Sequence, residues 1–195
     1  MKTAVFGGSF DPPHNGHLAL CLFARELAGL DRLTVSVSKN PFKAPADASD
    51  DDRATMARLF VAELNTAGKF AEMSDWELQQ PGPSYTIDLL RHVAALHQGD
   101  DLVLLVGEDS YRQIPQWRES QAITKLCDIA VFGRSGAKLA AASCGGILPT
   151  AMLFDFDMPV SATEVRRLAA AGQPVSHLVP QSIAAYIESH SLYRA

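Results

Sequence analysis

The sequence is short of cysteine, and this shortage excludes two kinds of small protein. Three of the 195 residues are cysteines, and no two of them form a Cys-x-x-Cys pair. A disulfide framework and a zinc knuckle are therefore both excluded. Cys21 and Cys127 lie in apolar stretches and are predicted to be small core residues, whereas Cys144 lies in a stretch rich in Ala and Gly.

Long apolar runs and an excess of positive charge are also missing. No run approaches the roughly 20 apolar residues that a membrane-spanning helix needs, and residues 1–17 contain no apolar segment of a secretory signal. We therefore expect a cytoplasmic protein with no membrane contact. The net charge of −5 argues against an extended nucleic-acid surface, so anionic ligands must be held by local donors.

The rest of the composition is that of a globular protein, with 47% apolar and 20% charged residues. At this length we expect a single domain over residues 1–195, with a small helical C-terminal portion from about residue 161.

Strand-like and helix-like segments alternate along the chain. Apolar runs predict strands at 4–6, 33–37, 102–106 and 129–132, and helical spacing predicts helices at 16–27, 53–64, 84–96, 161–171 and 183–189. This alternation is typical of an α/β fold, a Rossmann-like doubly wound parallel sheet flanked by helices. The unbroken run at 102–106 predicts a central strand.

Several local features are also predicted. Leu18, Leu22, Phe23 and Leu27 cover much of the circumference of the first helix, so we expect it to be well buried. Ser84 is a candidate N-cap, and Ser161 forms a capping box with the Glu three residues later. Residues 38–52 and 135–149 are interpreted as loops.

The most informative segment is 7–17, GGSFDPPHNGH, which follows the first strand. Gly7 and Gly8 would let the backbone approach a ligand closely and adopt positive φ. A helix starting near Asn15 would point free N–H groups at the same place, which is an anion site. His14 and His17 could donate to phosphate oxygens from one side of this helix start.

Other interpretations of this segment are weaker. A metal site would need third and fourth ligands, which the neighbouring sequence does not offer, and the Gly-Lys-Ser/Thr of a Walker loop is absent. A tight turn carrying two solvated histidines is the remaining alternative for this segment.

Segment 7–17 resembles the His-x-Gly-His signature of the nucleotidyltransferase superfamily, whose members join a nucleotide to a phosphate and release pyrophosphate. Residues 160–166, VSATEVR, resemble the second signature, with Ala162 at a serine position. The resemblance implies a phosphate cradle made of Ser161, Thr163 and Arg166 at a capped helix start.

Three middle segments are similar to bacterial nicotinate-nucleotide adenylyltransferases: PSYT at 83–86, GEDS at 107–110 and the tryptophan at 117. The similarity continues in the tail at 178–194, so it spans essentially the whole chain. It implies that Ser84, Tyr85 and Thr86 meet the nicotinate carboxylate and that Trp117 stacks on the pyridine ring. The ATP site would include the following residues: Gly7, Gly8, Ser9, Phe10, His14, His17, Gly107, Asp109, Arg134, Ser161, Thr163 and Arg166.

One loop departs from the family pattern. Relatives commonly have Pro-Pro-His-Lys after the second strand, whereas this chain has NPFK at 40–43. Phe42 stands where the histidine would be, and Lys43 is retained.

The resemblance implies transfer of AMP from ATP to nicotinate mononucleotide, giving deamido-NAD and pyrophosphate. The catalytic residues would be His14, His17, Lys43 and Arg166, and Mg²⁺ would be bound mainly through ATP. The alternatives are nicotinamide mononucleotide as substrate, another nucleotidyltransferase such as one acting on phosphopantetheine or using CTP, and a non-catalytic nucleotide sensor. The sequence leaves the oligomeric state open, a homo-oligomer included.

Overall fold

A computed structural model describes residues 1–39, 45–134 and 149–194 of the chain. Within these ranges one sheet of parallel strands has the order β3-β2-β1-β4-β5-β6. The strands are β1 (Lys2–Gly8), β2 (Arg32–Val37), β3 (Ala71–Ser74), β4 (Asp101–Gly107), β5 (Asp128–Gly133) and β6 (Met152–Asp155). The predicted Rossmann-like doubly wound fold is confirmed.

Helices lie between successive strands from β1 to β5 and also after β6, and they cover both faces of the sheet. They are α1 (Asn15–Ala28), α2 (Asp50–Leu64), α3 (Trp76–Gln79), α4 (Thr86–Leu96), α5 (Glu108–Gln113), α6 (Ser120–Leu126), α7 (Ala162–Ala170) and α8 (Gln181–Ser189), with short 3₁₀ turns at Asn65–Ala67 and Ile114–Gln116. None of the helices in the described ranges is long and apolar enough to cross a membrane.

The sheet separates two hydrophobic clusters, and β4 contributes to both. Val103 and Leu105 belong to the cluster beneath α1, α2, α7 and α8, whereas Leu102, Leu104 and Val106 belong to the cluster beneath α4 and α6. Successive side chains of a strand point to opposite faces, so a strand covered on both faces must be apolar throughout. The predicted central position of this strand is confirmed.

Sequence patterns missed the edge strands β3 and β6 and the short helices α3, α5 and α6. The two edge strands are four residues long and mostly half-buried, so they carry neither an apolar run nor a clean alternation. The loop predicted at 38–52 is wrong at its end, because α2 begins at Asp50. Ser49 caps α2 by accepting a hydrogen bond from the Asp52 N–H at 3.1 Å.

The expectation that α1 is buried over much of its circumference is wrong. Phe23 and Leu27 are 50% and 54% exposed. The buried stripe is Leu20, Cys21 and Ala24, which follow helical spacing on the side that faces the sheet. Cys21 and Cys127 are both buried, as predicted, and Cys144 lies outside the described residues.

The strand order reverses between β1 and β4. From β1 the chain continues outward to β2 and β3, and from β4 it continues in the other direction to β5 and β6. In open parallel sheets ligands bind beyond the carboxyl ends of the strands at this point. Segment 9–14 follows β1 directly, and α5 follows β4 directly, so both segments lie at this edge.

Candidate active site

A cavity of about 980 Å³ lies at the carboxyl ends of β1 and β4. This volume is enough for a dinucleotide-sized ligand. The cavity brings together these predicted site residues: Gly7, Gly8, Ser9, Phe10, His14, His17, Ser84, Tyr85, Thr86, Gly107, Asp109, Trp117, Arg134 and Arg166. Its described lining does not include Ser161 or Thr163, and Lys43 lies outside the described residues.

Gly7 and Gly8 do not have the backbone conformation that the sequence predicted. Gly7 and Gly8 are the last residues of β1, and the expected positive φ is wrong for both, because in this turn it belongs to Phe10, at 48°. A Cβ on Gly8 would lie 3.0 Å from the Phe10 ring. The Phe10 side chain is 1% exposed and contacts the rings of Phe6 and His17. Glycine at position 8 therefore leaves room for the buried Phe10 ring.

His14 and His17 stack on each other at the start of α1. Their ring centroids are 3.7 Å apart with an interplanar angle of 18°. The His14 N–H donates to His17 Nδ1 at 3.3 Å. A neutral His17 whose Nδ1 accepts carries its proton on Nε2, which makes that nitrogen the donor.

The His14 ring is buried, and burial lowers its pKa to about 4. It is therefore neutral at pH 7. Its Nδ1 is buried at the start of α1, where the His14 side chain faces the His17 N–H in a capping-box arrangement. A Cβ on Gly16 would lie 3.0 Å from this same nitrogen, so the spacing His-x-Gly-His keeps room for both rings.

Arg166 reaches the cavity from the first turns of α7. Its Nε lies 2.5 Å from an Asp47 carboxylate oxygen, and its Nη1 donates to the Asp11 carbonyl at 2.9 Å. The predicted cap of this helix is present, since the Ser161 hydroxyl accepts from the Glu164 N–H at 3.3 Å. Thr163 is exposed. Of Ser161, Thr163 and Arg166, which were predicted to form a phosphate cradle, Arg166 is thus the one that lines the cavity.

The Asp11 carboxylate organises the wall around Arg166, and sequence reasoning did not identify it. It accepts hydrogen bonds from the Asp47 N–H at 2.7 Å, the Ala48 N–H at 3.1 Å and the Tyr193 hydroxyl at 2.9 Å. Burial and the Asp11 charge raise the pKa of Tyr193. The end of the chain is therefore tied to the turn after β1.

Arg53 supports the same turn from α2 and was also missed. Its side chain is buried, and its Nη1 donates to the carbonyls of Ser9 and Ser38 at 2.8 and 3.1 Å. These two carbonyls follow the ends of β1 and β2. A lone arginine at the start of a predicted helix gives no sequence signal for such a role.

The other end of the cavity lies at the start of α4. The predicted N-cap at Ser84 is wrong, because α4 begins at Thr86 and Tyr85 is its N-cap residue. The Ser84 hydroxyl is turned inward and donates to Glu77 Oε1 at 2.6 Å. Trp117 lines the cavity here, and the Arg118 guanidinium lies 4.8 Å from the centroid of the Tyr85 ring. A helix start flanked by an aromatic ring suits an anionic aromatic ligand.

The segments after β4 and β5 complete the cavity. Gly107 ends β4 and is the N-cap of α5, and Asp109 is exposed in the first turn of that helix. Arg134 follows β5 and pairs with Asp157 at 3.4 Å. Both charged side chains line the cavity and are accessible to a ligand.

The fold and the site together define a nucleotidyltransferase. The chain belongs to the family described as cytidylyltransferase-like, which matches residues 5–168, and within it to the nicotinate-nucleotide adenylyltransferases. It is 71% identical to "Probable nicotinate-nucleotide adenylyltransferase" of Chlorobaculum tepidum and 63% identical to the protein of that name from Chlorobaculum parvum. Both alignments cover 100% of each chain.

Solved structures support the fold. The nicotinic acid mononucleotide adenylyltransferase of Plasmodium falciparum complexed with NaAD superposes with a TM-score of 0.79 at 19% identity, over 98% of this chain and 97% of that one. The same enzyme complexed with APC gives a TM-score of 0.74, over 98% and 96% of the two chains.

Proposed function

We propose that this protein transfers AMP from ATP to nicotinate mononucleotide, giving deamido-NAD and pyrophosphate. The observation that carries the proposal is that one cavity is lined by two helix starts, of which one would bind phosphate and the other a carboxylate. The first is the start of α1 with His14 and His17, and the second is the start of α4 beside Trp117. The names of the relatives, at identities up to 71%, point to the same reaction.

The triphosphate of ATP would lie at the α1 end. His17 would donate to phosphate oxygens through Nε2, beside the stacked ring of His14. Arg166 would exchange Asp47 for a phosphate, since both offer oxygens to the same guanidinium. We assign Gly107, Asp109 and Arg134 to the nucleoside part of ATP, as the resemblance implies.

The pyridine ring would lie at the α4 end. Trp117 would stack on the ring, and the first N–H groups of α4, with Tyr85 and the Thr86 hydroxyl, would receive the carboxylate. A charged carboxylate accepts stronger hydrogen bonds than a neutral amide, so this end favours nicotinate over nicotinamide. The Ser84 hydroxyl is occupied by Glu77, which leaves Tyr85 and Thr86 as the direct contacts.

The reaction needs positioning and charge stabilisation more than proton transfer. The mononucleotide phosphate is already ionised at pH 7 and would attack the α-phosphorus of ATP in line, with pyrophosphate leaving on the opposite side. Holding both reactants in one cavity lowers the entropic cost of their meeting, and the N–H donors and Arg166 would stabilise the charge on the phosphates. Lys43 is assigned to the leaving pyrophosphate from the resemblance alone.

We also propose that Mg²⁺ enters with ATP and that the protein acts in the cytoplasm. In the described ranges no group of three or more His, Cys, Asp and Glu side chains is placed to hold a metal ion. The phosphates of ATP and water would then supply the Mg²⁺ ligands. Pyrophosphate release should stop when EDTA exceeds the metal and resume when Mg²⁺ is restored.

The direct test is pyrophosphate release from ATP and Mg²⁺ with either nicotinate or nicotinamide mononucleotide. We expect the acid to be used at least about tenfold better than the amide, as a charged hydrogen bond predicts. Preference for the amide would keep the reaction class and overturn the assignment of the α4 end. No release with either would overturn the proposed reaction and direct the search to phosphopantetheine, CTP substrates or a sensor role.

A further inference from the structure

A buried carboxylate lies behind the α4 end of the cavity. Glu77, on the short helix α3, is 3% exposed and contributes to the cavity wall. Its Oε1 accepts the Ser84 hydroxyl at 2.6 Å, and its Oε2 accepts the Ser36 hydroxyl at 2.7 Å. A buried carboxylate normally needs such partners, because its desolvation is costly.

The two serines belong to different parts of the fold. Ser36 lies near the carboxyl end of β2, in register with Gly7 of β1. Ser84 directly precedes Tyr85, the N-cap residue of α4, and its N–H donates to the Lys39 carbonyl at 3.4 Å. Glu77 therefore connects the central sheet to the segment that starts α4.

The carboxyl group of Glu77 lies at the same end of the cavity that would receive the nicotinate carboxylate. Burial raises the pKa of Glu77, while the two hydroxyl donors and Arg53 act in the opposite direction. Both carboxylate oxygens are bound by hydroxyl hydrogens, so these hydroxyls are not offered to the ligand. Ligand recognition would then fall to the backbone at the start of α4, which follows Ser84 closely in the chain.

We infer that Glu77 is a positioning residue for pyridine-nucleotide binding: through Ser84 it holds the start of α4 where its N–H groups meet the nicotinate carboxylate. The inference rests on the proposed function. It assigns Ser84 an indirect role, because its hydroxyl serves Glu77 rather than the ligand. The hydrogen bonds of Glu77 go to Ser36 and Ser84, which are not among the residues assigned to the triphosphate, so its removal should affect the two substrates unequally.

The test compares the KM for nicotinate mononucleotide with the KM for ATP in Glu77→Ala and Glu77→Gln. Loss of the carboxylate leaves two buried hydroxyls unpaired and releases the start of α4. We expect Glu77→Ala to raise the mononucleotide KM about tenfold and to leave the ATP KM within about twofold. In Glu77→Gln the amide can accept from one serine and donate to the other, so both constants should stay near wild type.

A matched control removes a different carboxylate from the same region. Glu72 on β3 accepts the Thr34 hydroxyl at 3.0 Å, and it is not part of the described cavity lining. Glu72→Ala should leave both KM values unchanged. Ser84→Ala should raise the mononucleotide KM in the same direction as Glu77→Ala, and the double variant should be no worse than Glu77→Ala alone, because both changes break one anchor.

Three outcomes would overturn the inference: an unchanged mononucleotide KM in Glu77→Ala, an equal rise in both KM values, or additive effects in the double variant. If Glu77→Ala fails to fold, Ser84→Ala decides the question alone, and a wild-type mononucleotide KM then rejects it. Failure of the proposed function is distinct, because the wild-type protein would itself release no pyrophosphate with nicotinate mononucleotide.

Discussion

His14 and His17 are three residues apart and stacked, yet their surroundings give them different properties. His14 is buried and its pKa is lowered to about 4, whereas His17 is half-buried and accepts the His14 N–H. At neutral pH a neutral His14 avoids placing two imidazolium charges in face-to-face contact. The pair can thus act as N–H donors toward phosphate without mutual repulsion.

Replacing His17 by alanine should lower kcat by about 10²–10³-fold, since one donor aimed at the transition-state charge is typically worth this much. The assay is pyrophosphate release at saturating substrates. His190→Ala is the matched control, because His190 follows α8 on the exposed surface. A wild-type kcat in His17→Ala would contradict the assigned role.

Burial of His14 also predicts how stability depends on pH. The unfolded chain binds a proton at this position below about pH 6.5, whereas the folded chain does so only below about pH 4. The free energy of unfolding should therefore fall as pH drops through this window, by at most about 3 kcal/mol from this residue.

Urea unfolding of the wild type and His14→Gln at pH 7 and pH 4 isolates this contribution. At pH 4 the unfolding free energy of the wild type, taken relative to that of His14→Gln, should be lower than it is at pH 7. An equal decrease in the free energy of unfolding of both proteins between pH 7 and pH 4 would show that His14 contributes nothing to acid sensitivity.

The carboxylate of Asp47 pairs with the guanidinium of Arg166, at 2.5 Å from its Nε. Asp47→Asn should free Arg166 for the triphosphate and lower the KM for ATP by about threefold, the modest effect expected for a partly exposed ion pair. Asp51→Asn, an exposed carboxylate in the first turn of α2, controls for net charge. A higher ATP KM in Asp47→Asn would show that Asp47 supports ATP binding instead of competing with it.

At the scale of elements, two tyrosine hydroxyls attach the C-terminal region to the start of the chain and to α2. Tyr193 donates to Asp11 at 2.9 Å, and Tyr186 on α8 donates to Asp52 at 2.8 Å. The first bond adjoins the cavity wall, and the second lies on α2. Because the two bonds are chemically alike, comparing the loss of each one distinguishes an effect on stability from an effect on substrate binding.

Tyr193→Phe and Tyr186→Phe should each lower the free energy of unfolding by about 1 kcal/mol, the net value of one hydrogen bond. Only Tyr193→Phe should also raise the KM for ATP, because only Asp11 holds the backbone beside Arg166. Urea titrations and steady-state assays of both variants check this. An unchanged ATP KM in Tyr193→Phe would remove the C-terminal residues from the phosphate site.

The elements that sequence predicted are those with strong apolar patterns. β1, β2, β4 and β5 were located to within two residues at each end, because each contains a buried run. β3 and β6 were missed because an edge strand is half-exposed. The short helices were missed because four to seven residues are too few to show a helical period.

Site residues were predictable where they belong to a recognisable motif. They were missed where only the fold brings them together. His14, Arg166 and Trp117 come from recognisable segments and meet in one cavity. The partners Asp11 and Tyr193 are 182 positions apart, and Ser36 and Glu77 are 41 apart. Such pairs are brought together by the sheet order, which one sequence does not reveal.

For the whole molecule, the two buried cysteines report on global unfolding. Cys21 and Cys127 lie in the two hydrophobic clusters on opposite faces of the sheet. Burial raises the pKa of both thiols, that of Cys127 to about 12, so the reactive thiolate is scarce in the folded state. Neither thiol is accessible without opening a core.

We therefore expect iodoacetamide to modify Cys21 and Cys127 slowly in the folded protein and rapidly in urea. Bound substrates should slow the modification of each cysteine in the folded protein further. Peptide mass spectrometry measures each site separately. Modification of either cysteine in the native protein at the rate of a free thiol would show that its cluster opens locally.

The two tryptophans of the chain lie close to one end of the cavity. Trp117 lines the cavity itself. Trp76 stacks on His92, with ring centroids 4.6 Å apart, and lines a second groove that shares Ser84 with the cavity. Intrinsic fluorescence should therefore respond to the pyridine nucleotide and much less to ATP. Because the emission of an unlabelled protein distinguishes its two substrates, stopped-flow mixing can determine the order in which they bind.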